Sequence, residues 1–134
     1  ITGSPTGTHL EFDGNEIFAK TDGTTAGTLY LQSGSGTTEI CGNAFDNSSL
    51  SGPLVIPDDV LFIGEGAFCN TNISGVTFPN SLISIGNSSF YGCSALSGSL
   101  ILPDTLESIS DAAFAKCGFS GRLILPNSLI YIYI

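Results

Sequence analysis

The 134-residue chain carries 12 acidic and 3 basic side chains, a formal charge of −9, with 42% apolar residues, only 11% charged residues and 17 glycines. That length holds one domain with a continuous core, and polarity supplied by Ser, Thr, Asn and Gly suits short strands joined by many turns. Lys20, Lys116 and Arg122 are too few to neutralise a row of phosphates or anionic headgroups, and no apolar run reaches the ~18 residues that span a bilayer, so neither nucleic acid binding nor direct membrane insertion is expected.

In chain order, residues 1–8 match nothing downstream and read as a tail or cap. The chain has no Met, so Ile1 is not an initiator, and a processed product or excised segment is expected. His9 is the only histidine; with no Gly-x-Ser-x-Gly elbow to accompany it, Ser-His-Asp catalysis lacks its base and His9 reads as a surface residue. Leu10 and Phe12 form a candidate strand, and EIFAK (16–20) places Phe18 where a repeated Phe stands further on. GTLYLQ (27–32) aligns with GPLVIP (52–57), Gln32 replacing a proline before a loop two residues longer, and ICGNAF (40–45) aligns with IGEGAF (63–68).

From there the repeat is plain: LVIPDDVLFIGEGAF (54–68), VTFPNSLISIGNSSF (76–90), LILPDTLESISDAAF (100–114) and LILPNSLIYI (123–132). Phe45, Phe68, Phe90 and Phe114 recur at intervals of 23, 22 and 24, and Pro57, Pro79, Pro103 and Pro126 at 22, 24 and 23. A shared period in two independent markers signals stacked coils. In Leu-x-Ile-Pro the two apolar residues face one side of a strand and the residue between them faces out. Proline ends the strand, and the following Asp or Asn (Asp58, Asn80, Asp104, Asn127) favours the turn. Pairs such as Val60 with Ile63 and Leu106 with Ile109 return to the core as a second short strand, and the Ala/Ser-Phe pair is predicted to close the coil in a helical turn.

These residues resemble the BspA-like (Treponema-type) leucine-rich repeat family, with its strand-Pro, Leu-x-x-Ile-Gly and Ala-Phe-x-x-Cys blocks. Phe90 to Cys93 and Phe114 to Cys117 keep the last spacing, Cys69 is displaced to follow Phe68 directly, and Ser48 replaces the Cys. The resemblance covers about residues 27–132. It implies secreted or cell-surface proteins, several of them adhesin-like, with no catalytic residues to carry over. The predicted fold is a mostly β, α/β-type, right-handed leucine-rich-repeat solenoid of about five ~23-residue rungs, with parallel strands on a concave face and second short strands and helical turns opposite. Its segments are an N-terminal cap and degenerate repeat (1–26), repeats 27–51, 52–74, 75–97 and 98–120, and a truncated last repeat (121–134).

Tyr30, Val55, Thr77, Ile101 and Ile124 face outward on the main strands, flanked by Pro53, Ser99 and Arg122. Stacking at ~4.8 Å per rung makes them a continuous ladder ~20 Å wide. An exposed apolar ladder marks a contact site, although β-branched residues also suit strands on propensity alone. Extracellular protein or glycan recognition through Tyr30, Val55, Thr77, Ile101, Ile124 and Arg122 is one reading. The alternative is a filament subunit: the last rung lacks its closing block, exposing Leu129, Tyr131, Ile132, Tyr133 and Ile134 to head-to-tail stacking of identical chains. The carboxylates of Asp58 and Asp59 are explained by the turn after Pro57, and the wide cysteine spacing fits no zinc pattern, so neither enzyme activity, metal nor cofactor is expected. Cys93 and Cys117 share a phase and stand one rung apart, as a disulfide or as two buried thiols. Asn47, Asn72 and Asn87 begin N-x-Ser sequons, candidates for glycosylation after secretion.

Overall fold

The computed structural model describes residues 9–12, 15–20, 30–31, 39–48 and 50–133. Its elements are β1 (His9–Phe12), β2 (Asn15–Lys20), β3 (Tyr30–Leu31), β4 (Glu39–Ile40), β5 (Ser51–Val55), β6 (Phe62–Ile63), β7 (Asn72–Thr77), β8 (Ser84–Ile85), β9 (Leu100–Ile101), β10 (Ser108–Ile109), β11 (Leu123–Ile124) and β12 (Tyr131–Ile132). The chain is a parallel β-solenoid of about four coils.

Each coil follows from its residues. Leu54, Ile56, Leu100 and Leu102 point inward from the first strand and are buried. After the buried proline the chain turns, with Val60, Leu82, Leu106 and Leu129 donating to the carbonyls of Pro57, Pro79, Pro103 and Pro126. The residue before that apolar position ties one coil to the last: Ser81 Oγ, Thr105 Oγ1 and Ser128 Oγ donate to the carbonyls of Val60, Leu82 and Leu106 at 2.8, 2.7 and 2.7 Å. The second strands then pair in one continuous parallel sheet, ordered β12-β10-β8-β6-β4. In its register Ile40, Ile63, Ile85, Ile109 and Ile132 stand in line.

The core between these walls is organised by one aromatic column. Phe45, Phe68, Phe90 and Phe114 stack with centroids 5.3, 5.3 and 5.4 Å apart and planes within 13°, a separation favourable for offset rings. The first three are essentially inaccessible to solvent.

The closing segment differs from the predicted helical turn. It is a run of β-turns, and no helix occurs among the described residues. In the first closing run Ala44, Asp46 and Ser48 donate within their own coil, whereas Asn43, Phe45 and Asn47 donate to Glu65, Ala67 and Cys69 of the next. A helix would direct every N–H along itself and leave none for the neighbouring coil. Alternation needs left-handed backbone at two places per coil. Asn43, Gly66, Ser88 and Ala112 hold φ of 57, 62, 53 and 54°, and Asn47, Asn70, Gly92 and Lys116 hold 55, 55, 72 and 58°. Gly and Asn accept this conformation readily; Ser88, Ala112 and Lys116 hold it because the inter-coil bonds fix the backbone.

The N-terminal strands also depart from a degenerate coil. β1 and β2 form an antiparallel hairpin with His9 opposite Phe18 and Phe12 opposite Asn15, and β3 pairs antiparallel with β2. Phe18 and the Leu10–Phe12 segment are therefore partners in a hairpin, not successive walls of a coil.

Candidate interaction surface

The strands that end at proline form the front face. Val55 lies opposite Thr77 and Ile101 opposite Ile124. Their side chains point outward: Val55, Ile101 and Ile124 are 60, 63 and 49% exposed, and Thr77 is exposed as well. Arg122 is exposed beside them, its backbone N–H donating to Ser99 Oγ at 3.0 Å. Tyr30 lies on β3, opposite Lys20 of β2, and β3 also lies near the front strand β5.

Unlike the back wall, the front face is not one sheet. β5 pairs with β7 and β9 with β11, but β7 and β9 do not pair. Between them runs a groove of about 450 Å3, walled by Val76, Thr77 and Phe78 on one side and Ile101 and Leu102 on the other, with Asn80 and Asp104 where the strands end. Sequence reasoning placed the outward residues but missed this break. Two signals for it were present: Phe78 stands where the other coils have Ile56, Leu102 and Leu125, and Pro103 lies 13 residues after Phe90, whereas Pro57, Pro79 and Pro126 lie 12, 11 and 12 after Phe45, Phe68 and Phe114.

The BspA type leucine rich repeat region matches residues 30–134, in six copies. The chain belongs to this family. A similar solved structure is a leucine rich cell surface protein from Faecalibacterium prausnitzii A2-165, with a TM-score of 0.65, 24% identity, and coverage of 91% of this chain and 34% of that one. At that identity the likeness establishes the fold, and the chain spans about a third of that protein's length. No curated protein sequence matches it. Leucine-rich repeats of this kind generally serve as protein-binding surfaces rather than catalysts.

The cysteine block of the BspA-type repeat has a physical reason here. Cys93 Sγ donates to the carbonyl of Phe68 at 3.1 Å and Cys117 Sγ to that of Phe90 at 3.1 Å. Thr71 takes the same place in its own coil, its hydroxyl 2.8 Å from the Phe68 carbonyl and 3.4 Å from Cys93 Sγ. The position thus holds a small donor in three coils, as Thr71, Cys93 and Cys117, whereas Ser48 Oγ at the same place after Phe45 is buried without a partner among the described residues; Thr71, not the displaced Cys69, fills the role beside Phe68. Cys69, Cys93 and Cys117 are thiols outside any disulfide in the structure. Burial raises Cys93, and burial followed by the neighbouring Cys93 pushes Cys117 up to about 12, so both stay protonated near neutral pH.

Asn47, Asn72 and Asn87 are all exposed. Asn47 also accepts from Asn70 Nδ2 at 3.1 Å and donates to Asp46 Oδ1 at 2.7 Å. Asp58 is exposed and Asp59 half-buried in the turn after Pro57, and among the described residues no three His, Cys, Asp or Glu side chains converge as a metal site. At the C-terminal end Tyr131, Ile132 and Tyr133 are 57, 44 and 60% exposed, and Leu129 is half-buried. Ile134 lies outside the described residues. An apolar trough there is lined by Leu102, Ile109, Phe114, Leu125, Ile132 and Tyr133. No helix of the described residues is long and apolar enough to cross a membrane.

Proposed function

We propose that this chain is a non-enzymatic recognition or adhesion module acting outside the cell or at its surface, and that it contacts a protein or glycan through its front face. The observation that carries the reading is the outward column of Val55, Ile101 and Ile124, each with about half or more of its surface in water. Large apolar side chains grouped on one face mark contact sites. Membership of a repeat family that generally mediates protein contact supports it, as does the cell-surface description of the Faecalibacterium structure. Secretion through a eukaryotic pathway would make the exposed Asn47, Asn72 and Asn87 acceptors for N-glycans. The test compares the wild-type chain with the Ile101→Glu/Ile124→Glu variant on arrays of extracellular proteins and glycans. The variant should keep its melting temperature and lose binding by tenfold or more. Binding that survives both substitutions, or a wild-type chain that binds neither array, removes the reading.

A second reading is self-assembly, supported by the apolar trough and the exposed Tyr131, Ile132 and Tyr133 at the C-terminal end. A further coil covers such a face, whether from the same polypeptide or from another copy. Stacking of identical chains head to tail would not close on itself and would extend as a filament. Light scattering should then show mass rising with concentration, and Tyr133→Glu should suppress the rise. A monomer that persists at millimolar concentration removes this reading.

A further inference from the structure

We infer that the groove between β7 and β9 is the specificity site of the front face, and that it takes an extended protein segment with an apolar side chain next to a Lys or Arg. This rests on the front-face reading above and names the partner's chemistry.

The first support is an interrupted ladder. In the paired front strands Ile56 N–H donates to the Thr77 carbonyl at 3.0 Å and Leu100 N–H to the Arg122 carbonyl at 2.9 Å. Across the groove the equivalent groups are Phe78 N–H with the Ile101 carbonyl and Val76 N–H with the Ser99 carbonyl, and neither bond forms. Each lip thus presents an open strand edge carrying both N–H and C=O groups, Val76 and Phe78 on one side and Ser99 and Ile101 on the other, inside a fold whose back wall bonds at every step from β4 to β12. An extended backbone is the ligand that matches both.

The opening is also built from within. Phe78 packs edge-on against Phe90 and Phe114, with centroids 5.8 and 6.2 Å away. Its ring thereby bridges two coils, filling core space that a smaller Ile or Leu fills elsewhere and holding the front strands apart. The longer link between Phe90 and Pro103 gives β9 the slack to stand off.

Chemistry of the rim selects the occupant. Thr77, Ile101 and Ile124 offer an apolar seat, and the strand-end of the groove is lined by Asn80 and Asp104, with no basic side chain among the lining residues. On a chain of net charge −9, that end is complemented by a cation. The one aromatic side chain lining the groove, Phe78, has its ring packed into the core against Phe90 and Phe114, which leaves a sugar ring no open aromatic platform and favours peptide over glycan.

The test titrates the 15N-labelled chain with acetyl-Thr-Val-Thr-Ile-Lys-Thr-amide and with the same peptide carrying Glu in place of Lys. The Lys peptide should shift the amides of Val76, Phe78, Ser99 and Ile101 and spare those of β6, β8 and β10. Asp104→Lys should weaken the Lys peptide at least tenfold and bind the Glu peptide in its place. Phe78→Leu, which lets β7 and β9 close, should weaken the Lys peptide similarly. Asp104 is exposed, so its variant remains informative if Phe78→Leu destabilises the fold. Shifts centred elsewhere, indifference to Asp104→Lys, or an arrayed glycan occupying these amides while both peptides fail would each overturn the inference. Array binding that is lost in Ile101→Glu/Ile124→Glu but unchanged in Asp104→Lys and Phe78→Leu would overturn it while leaving the front-face reading in place.

Discussion

Replacing Phe90 by Ala should lower the stability of the chain by roughly 3–5 kcal/mol, measured by urea unfolding followed by circular dichroism. Phe90 is 0% exposed and lies at the centre of the aromatic column, stacked on Phe68 at 5.3 Å and Phe114 at 5.4 Å, with Phe78 edge-on at 5.8 Å. Truncation removes the apolar burial and leaves a void that the coils cannot collapse into, because the back wall and the closing turns bond them on both sides. In a solenoid, stability is approximately a sum over neighbouring coils, so two interfaces are weakened at once. The loss is a large share of the about 5–15 kcal/mol that holds an ordinary domain folded. Phe62→Ala is the control: Phe62 is 40% exposed on the outside of the back wall, and its removal should change stability by about 0.5 kcal/mol or less. Equal effects at the two positions would show that the ring column is not the core.

The reason Phe90 could be singled out from sequence is that coil stacking turns a one-dimensional period into a spatial column. Phe45, Phe68, Phe90 and Phe114 share a phase, and a shared phase fixes a shared place. The same logic located the outward Val55, Ile101 and Ile124. It failed where the determinant was not periodic. Asp13–Gly14, between the paired Phe12 and Asn15, is a strong hairpin signal, yet by repeat phase alone Phe18 falls at the place of the recurring Phe, with Leu10 and Phe12 as the strand before it. Alternating left-handed residues in the closing turns were hidden because Asn43, Gly66, Ser88 and Ala112 share a conformation without sharing a residue type. The donor column of Thr71, Cys93 and Cys117 was partly masked for a related reason, since a hydroxyl and a thiol both fill it. The groove between β7 and β9 depends on one oversized core residue, Phe78, and a link from Phe90 to Pro103 one residue longer than those from Phe45 to Pro57 and Phe114 to Pro126. Each is visible in sequence, but only packing gives it a meaning.

Gly64→Ala should destabilise the chain by roughly 1–3 kcal/mol, although the same exchange at a permissive site commonly stabilises by about 0.4–1 kcal/mol through the unfolded state. The sign reverses because of what a Cβ would meet: the Gly42 nitrogen at 2.5 Å and the Cys41 carbonyl carbon and Ile40 carbonyl oxygen at 2.8 Å. These are backbone atoms, so no side chain can swing away; the coils themselves must separate. Separation strains the Gly64 N–H bond to the Ile40 carbonyl, 2.7 Å long, and with it the pairing of β6 on β4. Ser110 shows how the fold accommodates a Cβ at the equivalent place, with its bond to the Ile85 carbonyl at 2.9 Å. Gly75→Ala is the matched control, because a Cβ there meets nothing within 4 Å and the residue does not hold positive φ; it should be neutral or slightly stabilising. Differential scanning calorimetry of the two variants decides the matter. A neutral Gly64→Ala would mean that the second strands can move apart freely, and that close backbone approach is not why glycine ends the Leu-x-x-Ile-Gly block at this coil.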